Sequence, residues 1–267
     1  VQKNQGEFEI SMSQPFVKHA SKAPAPPRYR LYVNAPLVAG QIVPLDMAQM
    51  NYLLNVLRLE AGAQLLVFNG QDGEWRAELV MPTRKTAVLK PLAQQRPQSA
   101  PGRIRYAFAP LKAARLDYMV QKAVEMGAAS LEPVLTRHTQ VSRLKLERLV
   151  ANAIEAAEQC GILTLPKVLP ETRFADWLTA LSAETLILFC DEEAPAGDAL
   201  PGLCALPRPD DPVVLIGPEG GFDAAERAAL LARGNTQRLS LGPRILRADT
   251  AAVAALTLAQ LAFGDWG

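Results

Sequence analysis

The chain is poor in residues that staple or ligate. Its three cysteines, Cys160, Cys190 and Cys204, are odd in number and unrelated in spacing, which supports neither a disulfide framework nor a zinc cluster. A reduced, cytoplasmic protein is therefore expected. With only His19 and His138 available, His-rich metal sites and most His-based triads are poorly supplied, so a metal-free mechanism is expected. Charge or proline breaks every apolar run well short of the roughly 18 residues that mark a membrane span, and no membrane partner is expected. An excess of one charge is missing too: 28 Lys and Arg against 27 Asp and Glu leave a net charge of +1. What is there is ordinary globular composition, 49% hydrophobic and 21% charged over 267 residues, enough for one large core or two smaller ones.

Four stretches separate along the chain. Residues 1–27 start without Met, are polar and end in Ala23-Pro24-Ala25-Pro26-Pro27; they read as a tag remnant or a mobile extension stiffened by polyproline geometry. From 28 to 95, short alternating runs such as 65–68 and 75–80 flank Asn69-Gly70-Gln71-Asp72-Gly73, a hairpin signal, and one helix is expected over 47–57. A small β-barrel is the expectation. Residues 91–101, rich in Gln and Pro, read as the linker, with its bounds set at 96–102. From 103 to 267, helical and apolar strand-like segments alternate, 185–190 among the latter, as the βα units of a parallel sheet do. Charge divides along the same line: residues 28–105 hold ten Lys and Arg against five Asp and Glu, residues 106–267 fifteen against twenty. Either the barrel holds a polyanion while the second domain does the chemistry, or these arginines only keep a small β-domain in solution.

The densest local signals are two turns. Val213–Ile216 is an apolar, β-branched run suited to a strand buried on both faces, and Gly217-Pro218 ends it because proline cannot donate to a ladder. Asp223 and Glu226 then have capping-box spacing for an Ala- and Leu-rich helix that Gly234-Asn235 stops. The second turn repeats the plan. Leu239-Ser240-Leu241 stops at Gly242-Pro243, Ile245-Leu246 sit between Arg244 and Arg247, and Asp249 or Thr250 is expected as N-cap of a helix over about 251–261. The two strand ends are expected to be adjacent, where open parallel α/β sheets bind ligands; singly, each turn reads equally as a plain tight connection. Neither carries G-x-G-x-x-G or G-x-x-x-x-G-K-[ST], which disfavours a standard dinucleotide site or phosphate cradle. The last helix is apolar almost all round and belongs either in the core or in a subunit interface.

Together and in this order, LIGPEGGF (215–222) and LSLGPRILRADTA (239–251) resemble the signature of the SPOUT class of RNA methyltransferases, and within it the ribosomal RNA small-subunit methyltransferase E family. Similarity extends to LDYMVQKAVEMG (116–127) with Glu132-Pro133, to Ala156-Ala157-Glu158-Gln159, to RYRLYV (28–33) and to LNVLR (54–58), so that it covers about residues 28–267. The chain departs from the family pattern at Asp249, where Glu is common, at Ile162-Leu163-Thr164, where a basic residue is frequent, and at Thr136-Arg137-His138, in place of Ser-Glu-Arg. The resemblance implies an α/β fold: a SPOUT-type parallel sheet with a C-terminal trefoil knot threaded after Gly242, preceded by a PUA-like, RNA-binding β-barrel. Such a knot is a rare exception to the rule against threading. Also implied are a homodimer through the knot domain, with Arg244 or Arg247 facing the second copy, and S-adenosylmethionine-dependent methylation of N3 of a specific uridine in 16S rRNA of the assembled 30S subunit.

By the same resemblance, Ile216, Gly217, Pro218, Glu219, Gly220, Gly221, Leu241, Gly242, Ile245 and Leu246 line the cofactor pocket, with Ile245 and Leu246 flanking adenine. Arg28, Arg30, Arg58 and Arg244 are the candidate RNA contacts. Methyl transfer from a sulfonium to nitrogen destroys charge, so a dry site that holds donor and acceptor collinear is favoured over a metal or a covalent nucleophile. Loss of the N3 proton leaves negative charge on the uracil oxygens, and Arg247 is the candidate to stabilise it; the alternatives are an RNA phosphate contact or an ion pair with Asp249. Glu219 is the carboxylate candidate for the base or for holding the sulfonium, unless it only bonds turn N–H groups. Two other functions stay open: a SPOUT methyltransferase acting on another nucleotide, such as a ribose 2′-hydroxyl, and an RNA-binding module without catalysis.

Overall fold

The computed structural model describes residues 27–83, 86–141, 143–195, 197 and 199–266; apart from Pro27, the expected N-terminal extension lies outside the described residues. The chain opens with β1 (Arg30–Tyr32), β2 (Val43–Pro44), α1 (Met47–Asn51), β3 (Gln64–Phe68), β4 (Glu74–Thr83) and β5 (Thr86–Arg96). These strands form one sheet in the order β1-β3-β4-β5-β2, antiparallel except for β1 beside β3. Alternate residues of the strands, among them Leu31, Leu65, Val67, Leu79 and Leu89, fill its core, as a period of two requires. Asn69 makes the β3–β4 hairpin: its Oδ1 accepts the N–H groups of Gln71 (3.0 Å) and Asp72 (2.8 Å), an Asx turn. α1 passes into a wide π-type turn over Tyr52–Val56 and ends at Arg58, the one non-glycine among the described residues with positive φ (55°).

The second unit comprises β6 (Arg105–Phe108), α2 (Ala113–Glu125), β7 (Ser130–Leu135), α3 (Leu146–Cys160), β8 (Lys167–Val168), β9 (Thr172–Arg173), α4 (Phe174–Ala180), β10 (Ile187–Cys190), α5 (Ala199–Cys204), β11 (Val213–Ile216), α6 (Ala224–Leu231), β12 (Thr236–Leu239) and α7 (Ala248–Phe263). Every ladder is parallel, in the order β12-β10-β11-β6-β7-β8 with β9 beside β7, so all strands end at one edge. Both faces are covered. Tyr106 and Phe108 of β6 pack into one core with Met119, Val120 and Leu256, while Ala107 between them joins Trp177, Phe189 and Leu230 on the other side. Glu132 of β7 is buried in this layer and accepts from Arg105 (2.7 and 2.9 Å), Ser130 (2.7 Å) and the Trp177 indole (3.0 Å). Burial alone would raise its pKa, but these donors outweigh that effect and hold the carboxyl below the ordinary range. Among the described residues no helix is long and apolar enough to cross a membrane.

The two units meet through arginines. Arg30 donates to Glu74 (2.6 Å), to the carbonyls of Ala157, Glu158 (2.9 Å) and Ile162 (3.1 Å), and lies 4.4 Å over the Phe68 ring. Arg96 completes the clamp from Glu74 (2.8 and 2.9 Å) to the Gly161 carbonyl (2.8 Å), and Glu158 accepts the Tyr32 N–H (2.8 Å). The C-terminal end of a helix carries the negative end of its dipole, so two cations are favoured there, and they also serve the carbonyls of Glu158, Gly161 and Ile162. Burial would raise the Glu74 carboxyl, but hydrogen bonds from Arg96 and Arg30 hold it below the ordinary range; Glu158, with less support, is raised by burial. The Arg30 guanidinium is thus held within the fold by Glu74 and by carbonyls of the second unit, rather than standing free as expected of an RNA contact.

Three further expectations change. β5 runs on to Arg96, so the first half of the Gln- and Pro-rich stretch is strand; Pro91 faces Ala77 beside a register shift, where a missing N–H is tolerated. β11 and β12 are not adjacent, because β10 lies between them. α7 starts at Ala248 with extended Arg247 as N-cap, which places Asp249 inside the first turn, where it accepts only the N–H of Thr250 (2.9 Å).

Candidate cofactor pocket and active site

The turns after β11 and β12 converge over the end of β10 and enclose a cavity of about 370 Å³, within the range of roughly 300–1,000 Å³ usual for small-molecule sites. Its wall includes Ile216, Gly217, Pro218, Glu219, Gly221, Leu241, Gly242, Ile245 and Leu246, with Arg244 and Arg247. Gly220 does not line the cavity; it faces His138, whose Cβ would lie 3.4 Å from an added methyl. Sequence reasoning missed the floor: Phe189, Cys190, Asp191, Glu192 and Glu193 from β10 and the loop behind it, and Arg227 of α6. The strand itself was legible, but only the sheet order places it between the two turns.

Local chemistry fixes the turns. Phe222 folds back over Gly217, where a Cβ would come within 2.6 Å of its ring, and packs edge-on against Phe189 at 5.3 Å. Gly221 (φ 69°) closes a turn from its N–H to the Pro218 carbonyl (2.9 Å), and Gly242 (φ 101°) holds a conformation that side chains disfavour. Asp223 and Glu226 form the expected capping box at α6. Glu226 also accepts the N–H of Arg137 (2.8 Å), and His138 Nδ1 lies 3.0 and 3.1 Å from the carbonyls of Gly220 and Gly221, so its Nδ1–H donates to them. The loop that departs from the family pattern therefore straps the first turn in place.

Charge is distributed unevenly around the cavity. Asp191 is buried and accepts from Arg227 (2.9 Å), Arg238 (2.7 Å) and the Glu193 N–H (3.1 Å). Burial would raise its carboxyl, but these donors outweigh that and lower it. Glu192 is exposed, makes no hydrogen bond among the described residues, and its Oε1 lies 3.5 Å from where a Gly221 Cβ would stand. Glu219 accepts no turn N–H; it faces Arg115 of α2 at 3.6 Å, both about half exposed. Arg247 is exposed and makes no ion pair with Asp249. Burial pushes the Cys190 thiol up to about 12, which keeps it protonated. An unpaired carboxylate, apolar Leu241 and Leu246, and bare backbone at two glycines suit a cationic, partly apolar small molecule. No cluster of His, Cys, Asp and Glu suited to a metal ion occurs among the described residues.

Of the RNA candidates, Arg28, Arg58 and Arg244 are exposed, and Arg30 is mostly buried and paired with Glu74.

Comparison with known proteins gives a consistent result. The RNA methyltransferase domain model matches residues 98–260 and the RNA methyltransferase PUA domain model residues 45–92. The chain is 34% identical over 232 residues to the ribosomal RNA small subunit methyltransferase E of Synechocystis sp., covering 85% of this chain and 76% of that one. It is 29% identical to the protein of the same name from Rickettsia conorii, with 87% and 95% covered. Among solved structures, a methyltransferase from Legionella pneumophila in complex with S-adenosylmethionine superposes with a TM-score of 0.79 (28% identity, 89% of this chain, 98% of that one). A ribosomal RNA small subunit methyltransferase E from Neisseria gonorrhoeae, also bound to S-adenosylmethionine, gives 0.78 at 28% identity over 90% of this chain and 99% of that one.

Proposed function

Because the chain belongs to the ribosomal RNA small subunit methyltransferase E family, we propose that it is an S-adenosylmethionine-dependent methyltransferase that modifies N3 of a uridine in 16S rRNA, in the assembled 30S subunit. The observation that carries this reading is the cavity between the two Gly-Pro turns, with unpaired Glu192 on its wall and unpaired Arg247 on its rim. Bound S-adenosylmethionine supplies an electrophilic methyl group on a sulfonium. Glu192 opposes positive charge in the pocket, Leu241, Ile245 and Leu246 offer apolar flanks, and the backbone of Gly217, Gly221 and Gly242 lets a ligand approach closely. The Arg247 guanidinium stabilises the negative charge on the uracil oxygens once N3–H has ionised, and Glu219 is the carboxylate at the mouth that can take that proton.

Arg28 and Arg58 on the barrel and Arg244 beside the pocket are the proposed phosphate contacts that remain. The knot after Gly242 and a homodimer through this domain belong to the same reading. The dimer is supported by α7, where Val253, Ala254 and Leu258 stay part-exposed and Leu261 is 40% exposed beside a buried face. Methyl transfer is to be measured on assembled 30S subunits and on naked 16S rRNA, with mass spectrometry locating the methyl group. A methyl on uracil N3 is the expected product; one on a ribose hydroxyl would replace the uridine assignment, and no transfer to either substrate would leave an RNA-binding module.

A further inference from the structure

Several cations up to Arg105 are engaged within the fold. Arg30 and Arg96 hold Glu74, Arg105 holds Glu132 and Asp211, and Arg103 meets Asp210. A group of free cations lies on the unit with the acidic balance, along one edge of it. Lys112 stands in the loop between β6 and α2, and Arg137, Arg143 and Lys145 in the loop between β7 and α3; all four are exposed, with no side-chain hydrogen bond or ion pair among the described residues. Because the strands are parallel, both loops emerge at the edge that holds the pocket. Contacts make the surface continuous. Arg115 in the first turn of α2 reaches Glu219, His138 lies on the carbonyls of Gly220 and Gly221, and Arg148 of α3 holds Asp117 of α2 (2.9 Å). Arg244 and Arg247 stand exposed on the opposite side of the pocket mouth.

The position of two of these lysines is an independent sign. Lys112 is the N-cap of α2 and Lys145 the N-cap of α3, both extended and both without a side-chain cap bond. A cation there offers no acceptor to the first N–H groups and faces the positive end of the helix dipole. Arg247 holds the same position at α7, on the pocket mouth itself. Arg173 at α4 is likewise a basic N-cap without a side-chain cap bond, whereas Asp46 at α1 and Asp223 at α6, the latter at the same edge of the parallel sheet, each complete a capping box. Basic caps without an acceptor thus recur at the edge where the pocket and the free cations lie, and local rules broken without a compensating contact are expected at functional sites. Phosphate oxygens seated there would provide the acceptors that α2 and α3 lack.

Resting on the reading of the protein as an RNA methyltransferase, we propose that Lys112, Arg137, Arg143 and Lys145 form the surface that carries the sugar-phosphate backbone of the substrate RNA across the pocket mouth. These contacts position the RNA without reading its sequence.

The test is the triple variant Lys112→Ser, Arg143→Ser, Lys145→Ser, compared with Arg28→Ala, Arg58→Ala. Serine at the two caps supplies the missing acceptor, so the thermal midpoint of the triple variant is expected to rise. Calorimetric affinity for S-adenosylmethionine is expected to stay unchanged. Affinity for an unmodified 16S rRNA transcript should fall by roughly tenfold or more, and the slope of log K against log salt should flatten by about 0.7–0.9 for each phosphate no longer neutralised. An unchanged affinity and salt slope in the triple variant overturn the proposal. Wild-type methyl transfer to 16S rRNA and to 30S subunits is measured alongside. Its absence would remove the functional reading, while intact transfer with an unchanged slope would remove only this surface.

Discussion

Arg247 has an extended backbone at the end of the second turn and a guanidinium with nothing to hold, since the Asp249 carboxylate accepts the Thr250 N–H instead. Arg247→Ala is expected to lower the methylation rate at saturating RNA and cofactor by roughly 100-fold or more, the scale of losing one preorganised oxyanion donor. Arg247→Lys should recover little of it, because a point charge does not reproduce the guanidinium fork. A variant that keeps its rate and loses only RNA affinity would assign Arg247 to a phosphate. Gly242→Val should abolish S-adenosylmethionine binding in calorimetry, since φ of 101° is hostile to a β-branched residue; an added Cβ meets nothing within 4 Å, so the rest of the fold should survive. Unchanged affinity would take the second turn out of the site. These residues were legible in the sequence because Gly-Pro punctuation is local. Glu192 was not: within the run Asp191-Glu192-Glu193 it looks like its neighbours, and only the fold separates a buried, doubly paired Asp191 from an unpaired Glu192.

Helices and strands were legible to different depths for the same reason. The capping box of α6 and the Asx hairpin between β3 and β4 are complete within a few residues, and both form as expected. The start of α7 was placed too late because Asp249 is a good capping residue, while Arg247, which takes the position, is a poor one. Arg30 shows the limit most clearly. Its charge is visible in the sequence, but its partners lie 44 residues away at Glu74 and 127 away at Ala157, so its structural role was not legible there. Glu74 is 4% exposed between Arg30 and Arg96. Glu74→Ala would leave both guanidinium groups facing each other without a counter-charge. A loss of about 3 kcal/mol is expected in urea unfolding, the low end of the cost of breaking a buried pair because Arg96 is partly exposed. A change below about 1 kcal/mol, the scale of surface pairs, would mean that the helix carbonyls alone hold the two arginines.

Three arginine-bound carboxylates, Glu74, Glu132 and Asp191, tie together the barrel joint, the centre of the parallel sheet and the pocket floor, and all three have depressed pKa values. A depressed carboxyl contributes stability that is present above its unfolded value, near 4, and is lost as pH falls through the lower folded value. Glu158, raised by burial, has the opposite sign, and its contribution grows as pH falls through its raised value. With Asp117, held low by its hydrogen bond from Arg148, there are four depressed carboxyls against one raised, so the thermal midpoint should hold or rise slightly on mild acidification and then fall steeply below about pH 4. A midpoint unchanged down to about pH 2 would show that these pairs contribute nothing net. The clamp at the joint also has a meaning in the order of synthesis. The barrel strands, with Arg30, Glu74 and Arg96, leave the ribosome long before Ala157, Gly161 and Ile162 have been added. Until then both arginines have Glu74 but lack their carbonyls, so the barrel can pair its own strands first and the joint closes only when the end of α3 arrives.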